Sequence, residues 1–391
     1  MFDLGLHEPD STGVNTRARI AMHHGWVVSG YKDVSYLFAP VANATASIHN
    51  AAWRQIASFP IGDEVSICAP GENAPLPDGA WGPGPLHNGI GPPTLQASVV
   101  VLASDSTNEV ARVFAPAIAS QPRGNWTTVT TLSQAMVPES VVSGWGAAVA
   151  LHVNTSGVAV AFIGSPNDNT LDTSMGAVYQ FVAANASDAN SWVFVAKFSG
   201  STVENRMFFG SALALSSCGT LLAAGGPGQF FGVVGVFEPA SSGDWGAPVE
   251  WVERVSLRHG NTGTSFGRAI GISSTSQCVT VVAGAQNDDT VETNGGAVFA
   301  FASSSRDLAD TSTAWRATKI VDPDATSSFQ LGMSVSISGT TVMAGAASRV
   351  EVFVLSLGLD AVATNIQPTS GSHSFGSVTA IDPDSGCPSN P

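Results

Sequence analysis

A seven-residue pattern recurs along the chain and constrains its fold more than any other feature. It reads Trp145-Gly-Ala-Ala-Val-Ala-Leu, Phe209-Gly-Ser-Ala-Leu-Ala-Leu, Phe266-Gly-Arg-Ala-Ile-Gly-Ile, Leu331-Gly-Met-Ser-Val-Ser-Ile and Phe375-Gly-Ser-Val-Thr-Ala-Ile. Ile61-Gly-Asp-Glu-Val-Ser-Ile fits it, and Asn15-Thr-Arg-Ala-Arg-Ile-Ala-Met fits weakly. The glycine or its equivalent falls at 16, 62, 146, 210, 267, 332 and 376, a period of about 60 residues. The one long gap, 62 to 146, contains the Pro/Gly-rich stretch 69–93, which reads as a surface loop inserted into the second unit.

A second and a third segment follow each of the first six copies, and a fourth follows the first five. The second is a short apolar run ending in small residues, as in Val160-Ala-Phe-Ile-Gly and Val281-Val-Ala-Gly-Ala. The third alternates, as in Gly176-Ala-Val-Tyr-Gln-Phe and Gly296-Ala-Val-Phe-Ala-Phe, and the fourth opens on Trp53, Trp126, Trp192, Trp251 or Trp315. Strand-length runs rich in β-branched and aromatic residues, separated by Gly/Ser/Asn/Asp turns, predict four antiparallel strands per unit. One such sheet cannot bury both faces, so the units must stack face to face, and stacking around an axis gives a β-propeller. Small residues in the first two strands suit the crowded centre, and Trp and Phe suit the diverging rim. A β-solenoid is disfavoured because its coils are nearer about 20 residues.

The expectation is therefore an all-β chain, one domain over 1–391, folded as a seven-bladed β-propeller of four-stranded antiparallel blades. Its seventh blade is incomplete, because only Asp-Pro-Asp384-Ser-Gly-Cys-Pro-Ser-Asn-Pro follows the copy at 375–381. Phe2 to Asp10 matches a Trp-led outer strand with its acidic tail, so the two chain ends are expected to meet in that blade. Either the blade is defective or these 391 residues are part of a longer polypeptide.

The combination F-G-x-S/A-V/A-x-I/L, V-V-A-G-A and G-A-V-F-x-F resembles the FG-GAP repeat of integrin alpha subunits and many surface proteins. The resemblance covers most of the chain, most closely 145–382, and implies the same propeller. The family's D-x-D-x-D-G calcium loop lies between the first and second strands. Here that connection reads Ser216-Ser-Cys-Gly-Thr, Ser273-Ser-Thr-Ser-Gln-Cys or Ser338-Gly-Thr, without a carboxylate. The resemblance is thus to the metal-free variety, and no metal or other cofactor is expected.

Charge excludes some partners. With 30 acidic and 15 basic residues the net charge is -15, and the chain's three lysines (Lys32, Lys197, Lys319) build no basic footprint for nucleic acid or anionic membranes. No apolar run reaches 18 residues, and the start MFDLGLHEPDSTG lacks the features of a signal peptide, so no direct membrane insertion is expected. Few charges and little Lys favour an extracellular or cell-surface location; sequons at Asn43, Asn125, Asn154 and Asn185 add little, since a chain this rich in Asn, Ser and Thr carries about three or four by chance. Cys68, Cys218, Cys278 and Cys387 are compatible with two disulfides or none; Cys218 and Cys278 follow first strands of adjacent units, and a bridge between them requires Cα atoms within about 7 Å.

Few residues point to chemistry. Gly263-Thr-Ser265-Phe-Gly267 matches the nucleophile elbow G-x-S-x-G, but its Phe-Gly belongs to the repeat and no helix follows. His23-His24 lacks a third metal ligand at suitable spacing. Two acidic loops, carrying Asp168 and Asp172, and Asp288, Asp289 and Glu292, each join a second strand to a third and so share one propeller face. Their oxygens could meet a cation or a basic group of a ligand, although Asn/Asp loops are also good turn formers. Asp322-Pro-Asp324 and Asp382-Pro-Asp384 read as turns of the same kind. The functional expectation is a non-enzymatic binding or structural module presenting face loops to a protein or glycan partner. The alternative is a hydrolase or lyase with an axial site, for which Arg17, Arg19, Asp63, Glu64 and Arg268 are the candidates.

Overall fold

In the computed structural model, residues 19–23, 26–31, 34–40, 53–61, 64–68 and, with short gaps, 99–366 are described. Their 24 strands form six four-stranded sheets, each made of four strands consecutive in sequence. Blade 1 comprises β1 (Arg19–His23), β2 (Trp26–Tyr31), β3 (Val34–Pro40) and β4 (Trp53–Phe59), and blade 2 comprises β5 (Glu64–Cys68), β6 (Val100–Asp105), β7 (Val110–Pro116) and β8 (Trp126–Ser133). Blade 3 is β9 (Ala148–Val153), β10 (Ala159–Ser165), β11 (Ala177–Ala183) and β12 (Trp192–Phe198), and blade 4 is β13 (Ala212–Leu215), β14 (Leu222–Gly226), β15 (Val233–Pro239) and β16 (Trp251–Leu257). Blade 5 contains β17 (Ile270–Ser274), β18 (Val279–Ala285), β19 (Ala297–Ser303) and β20 (Trp315–Ile320), and blade 6 contains β21 (Ser334–Ser338), β22 (Thr341–Gly345), β23 (Val350–Leu355) and β24 (Ala361–Ile366). Helix among the described residues is limited to two single 3₁₀ turns, Gln134–Met136 and Ala189–Ser191.

The chain is thus a β-propeller of four-stranded antiparallel blades, with six blades among the described residues where seven were expected. The sixth blade completes itself: β23 pairs with β24, a strand that starts on Ala361 and carries no Trp to mark it. The segments assigned to a seventh blade, 2–10 and 375–382, lie outside the described residues, as do the inserted loop 69–93 and His24 of the His23-His24 pair.

Hydrophobic cores lie between blades, one for each of the five consecutive pairs from 1–2 to 5–6. The apolar residue of each repeat copy sits in the core that its blade shares with the preceding one: Ile61, Trp145, Phe209, Phe266 and Leu331 are all buried. Burying a side chain of this size contributes about 1.5–3 kcal/mol.

The repeat's glycines follow from how closely blades approach. Gly210 has φ +86, a left-handed conformation that an L side chain strains to adopt. Its carbonyl lies against Gly164 of the preceding blade, where a Cβ would come within 2.0 Å of Gly210 O. Gly225 meets Gly267 and Gly284 meets Gly332 in the same way. In blade 2, Ser104 faces the corresponding carbonyl and donates its Oγ hydrogen to Gly146 O at 2.6 Å.

The Cys218–Cys278 disulfide does not form. Cys278 is a free thiol, and Cys218 is in a disulfide with another residue. Thr275 explains the local geometry: its Oγ1 accepts from Cys278 N at 3.1 Å and lies 3.5 Å from Cys278 Sγ, folding that turn onto itself. Cys68 is also free, and Cys387 lies outside the described residues.

Candidate functional site

Antiparallel strands alternate in direction, so the fold has two distinct faces. We call upper the face where each first strand begins; second-to-third turns and the connections between blades return there. First-to-second and third-to-fourth turns lie on the lower face. Upper-face turns are cross-linked by backbone hydrogen bonds, including Arg206 N to Thr173 O at 2.8 Å, Asn287 N to Thr264 O at 3.1 Å and Gln330 N to Asn294 O at 2.9 Å.

Both acidic loops are on this face, but their first carboxylates are turned inward. Asp168 is 2% exposed and accepts from Lys197 Nζ at 2.8 Å, Tyr179 OH at 2.5 Å and Thr170 N at 2.8 Å. Asp288 is 1% exposed and is held by Lys319 Nζ at 2.7 Å and by Thr290 N at 3.0 Å. Each lysine comes from its blade's fourth strand and spans a ring, Lys197 over Tyr179 and Lys319 over Phe299, both at 5.4 Å. Burial by itself would raise both carboxyls, but the hydrogen bonds from lysine and threonine, with Tyr179 at Asp168, outweigh it and hold both below the ordinary value. Asp289 and Glu292 are not buried, and Asp289 Oδ1 accepts from Asn294 N at 2.7 Å. Asp172 lies outside the described residues.

Blade 6 uses another pairing. Arg349 binds Asp322 and Glu351, the latter at 2.9 Å, while its guanidinium stacks 4.5 Å from the Phe329 ring. Asp322 is therefore engaged in the same inward fashion, and its Oδ1 accepts from Asp324 N at 2.8 Å. Burial raises the Glu351 carboxyl, with Arg349 opposing it.

Ser265 of the elbow-like motif has φ +58 and accepts from Asn287 Nδ2 at 2.9 Å, so it serves as one of the left-handed positions of the turn. The neighbouring Thr264 is buried against His259, with Oγ1 to Nε2 at 2.7 Å, and His259 stacks on Phe299 at 4.5 Å. Burial holds His259 below its usual value, with Lys319 adding to the effect and Asp288 opposing it. Asp288 is committed to Lys319, and Thr264 is closed to solvent.

The axis holds a cavity of about 530 Å³ lined by the first strands of all six blades. Glu64, His152 and Arg268 contribute its ionisable groups amid Ala, Ser, Val, Ile and Leu. Burial pushes the His152 imidazole down to about 4. Of the other axial candidates, Arg17, Asp63 and the Arg19 side chain lie outside the described residues. Among the described residues, no three or more His, Cys, Asp or Glu side chains are grouped to hold a metal ion, and no helix is long and apolar enough to cross a membrane.

Sequence reasoning missed the most exposed aromatic feature of the upper face among the described residues. In blade 4 the second-to-third turn is not an acidic loop but the short run Pro227-Gly-Gln-Phe-Phe-Gly232, and Phe230 and Phe231 are 65% and 40% exposed. Three backbone hydrogen bonds fix the turn: Gly228 N donates to Met207 O at 3.0 Å, Gln229 N to Arg206 O at 3.1 Å, and Gly263 N to Phe230 O at 2.8 Å. Arg206 flanks it, with Nη1 donating to Gln229 Oε1 at 3.1 Å. The available signal was a comparison of sister turns, which are polar in blades 3 and 5 where this one has adjacent phenylalanines.

No family model and no curated protein matches the chain. Solved structures similar to it include the Dos1 propeller, at 12% identity and TM-score 0.45 over 91% of this chain and 71% of that one. An ancestral GH74 enzyme gives 12% identity and TM-score 0.48, over 95% of this chain but 46% of that chain's length. A complex of KlAtg21 with the coiled coil of AgAtg16 gives 9% identity and TM-score 0.46, over 90% and 83%.

Proposed function

We propose that this propeller is a non-enzymatic, extracellular or cell-surface binding module of the FG-GAP kind, engaging a protein partner through its upper face. The observation that carries the proposal is the Phe230–Phe231 pair, exposed on a turn fixed by three backbone hydrogen bonds. Exposed aromatics on a pre-ordered loop cost little entropy to bury and are typical of interface anchors. Arg206 beside them suits an acidic or carbonyl group at the edge of an apolar partner surface. Asp289 and Glu292 add solvent-accessible carboxylates to the same face. A glycan partner would use the same aromatic surface, whereas an axial enzyme would need the cavity lined by Glu64, His152 and Arg268.

Affinity capture with the wild-type chain and with a Phe230→Ala/Phe231→Ala variant tests the reading. A partner retained by the wild type and lost by the variant, with circular dichroism unchanged, is the expected result. Equal retention by both would move the binding site elsewhere. Turnover in a hydrolase and lyase screen that is abolished by Arg268→Ala would reverse the non-enzymatic assignment. Fractionation of the source cells tests location separately.

A further inference from the structure

The fold places on one face three of four sequence features that are far apart in the chain. Every N-x-Ser/Thr sequon falls in a connection of the lower-face type. Asn154 lies between β9 and β10, Asn185 between β11 and β12, Asn125 immediately before β8, and Asn43 in the sequence between β3 and β4, outside the described residues. None falls in a second-to-third turn or in a connection between blades.

We propose that Asn125, Asn154 and Asn185 are N-glycosylation sites that clothe the lower face of blades 2 and 3 and leave the upper face bare. Asn125 and Asn185 are exposed and Asn154 is half-buried, while the acceptor residues Thr127, Ser156 and Ser187 are all exposed. Two of the asparagines are also oriented by the backbone. Asn154 Oδ1 accepts from Ser156 N at 2.9 Å and from Val158 N at 3.0 Å, and Asn185 Oδ1 accepts from Ser187 N at 3.0 Å. A backbone N–H can only donate, so the atom facing it is the amide oxygen, and Nδ2 is the branch left to carry a substituent. The turns are firm supports: Ala186 N donates to Gly157 O at 2.8 Å, tying both blade 3 turns together, and Trp192 Nε1 donates to Ala186 O at 3.2 Å.

The donor is a lipid-diphosphate-linked oligosaccharide. Asn Nδ2 attacks the anomeric carbon of the first sugar, the bond from that carbon to the diphosphate oxygen breaks, and the amide proton is released as the lipid diphosphate leaves. No redox partner is required. A hydrated glycan at each site stays in water and displaces nothing from the cores between blades.

The proposal rests on passage through the secretory pathway but not on any partner of the upper face. It is tested with the full chain behind a cleavable leader, translated in the presence of microsomes and also secreted from a eukaryotic cell. Glycans are released by peptide N-glycosidase in heavy-oxygen water, which converts each occupied Asn to labelled Asp, and the peptides are mapped. Thr127→Ala, Ser156→Ala and Ser187→Ala remove the acceptor residue while keeping each Asn and the side-chain turn bonds of Asn154 and Asn185, and each is expected to lower the mass by one glycan. Label at two or all three asparagines supports the assignment; label at one or none overturns it. Because microsomes supply the secretory environment, bare asparagines fault the sites themselves, whereas an intracellular location in the source cells would fault the location reading.

Discussion

Lys197 Nζ lies 2.8 Å from Asp168 Oδ2 with both side chains withdrawn from solvent, so an acidic loop that reads as ligand-facing in sequence is clamped to its own blade. Lys319 and Asp288 repeat the arrangement two blades on. Two of the chain's three lysines are thereby committed to structure. Removing one partner of a buried pair leaves a charge without compensation and typically costs about 3–5 kcal/mol. Lys197→Met is expected to lose stability on that scale in urea unfolding. Asp168→Asn combined with Lys197→Met should recover most of the loss, and a Lys197→Met variant as stable as wild type would show that the pair is not structural.

Acid sensitivity follows from the same carboxylates. Asp168 and Asp288 have lowered values in the folded state, so their contribution is complete above the unfolded value, about 3.9. It declines as pH falls below that value and through the lowered folded values. Stability measured against pH should drop below about pH 4, and the drop should be smaller in an Asp168→Asn/Asp288→Asn variant.

His152 adds a second, milder window. Its folded value of about 4 lies below the ordinary 6.5, so the unfolded chain binds the proton first. Stability should therefore fall as pH decreases from 6.5 towards 4, by a few kcal/mol at most. His152→Gln is expected to flatten that part of the curve, and an unchanged slope would remove His152 as its source.

The glycines separate conformational strain from steric overlap. Gly157 has φ +84 with nothing within 4 Å of an added Cβ, whereas Gly210 has φ +86 and its Cβ would lie 2.5 Å from Ala177 O of the preceding blade. Gly157→Ala should cost about 1–2 kcal/mol, the left-handed penalty alone. Gly210→Ala should cost clearly more or prevent folding, read as melting temperature or soluble yield. Equal effects would mean that the approach between blades is looser than described.

The cysteines should react in a fixed order. Burial pushes the Cys68 thiol up to about 11, while Cys278 is partly exposed and Cys218 is disulfide-bonded. Iodoacetamide under native conditions should label Cys278, reach Cys68 only on unfolding, and reach Cys218 only after reduction. Rapid native labelling of Cys68 would contradict its packing against Val153.

Strand assignment was legible because each strand carries a local mark. The outer strands β4, β8, β12, β16 and β20 all begin on the tryptophans at 53, 126, 192, 251 and 315. β24 begins on Ala361 and was missed, since nothing in Ala-Val-Ala-Thr-Asn-Ile sets it apart from a linker. The Phe230–Phe231 turn was missed for a related reason: exposure depends on neighbouring turns, and two phenylalanines in a strand-rich chain read as core.

By itself the sequence determined the period, the four strands of nearly every unit and the need to stack them, because alternation and glycine placement act over a few residues. Tertiary structure alone decided how many blades the described chain completes, that Asp168 finds Lys197 across a blade, and that Phe230 and Phe231 stand exposed. Those outcomes depend on distances between residues tens to hundreds of positions apart, which packing between blades sets and no local pattern encodes.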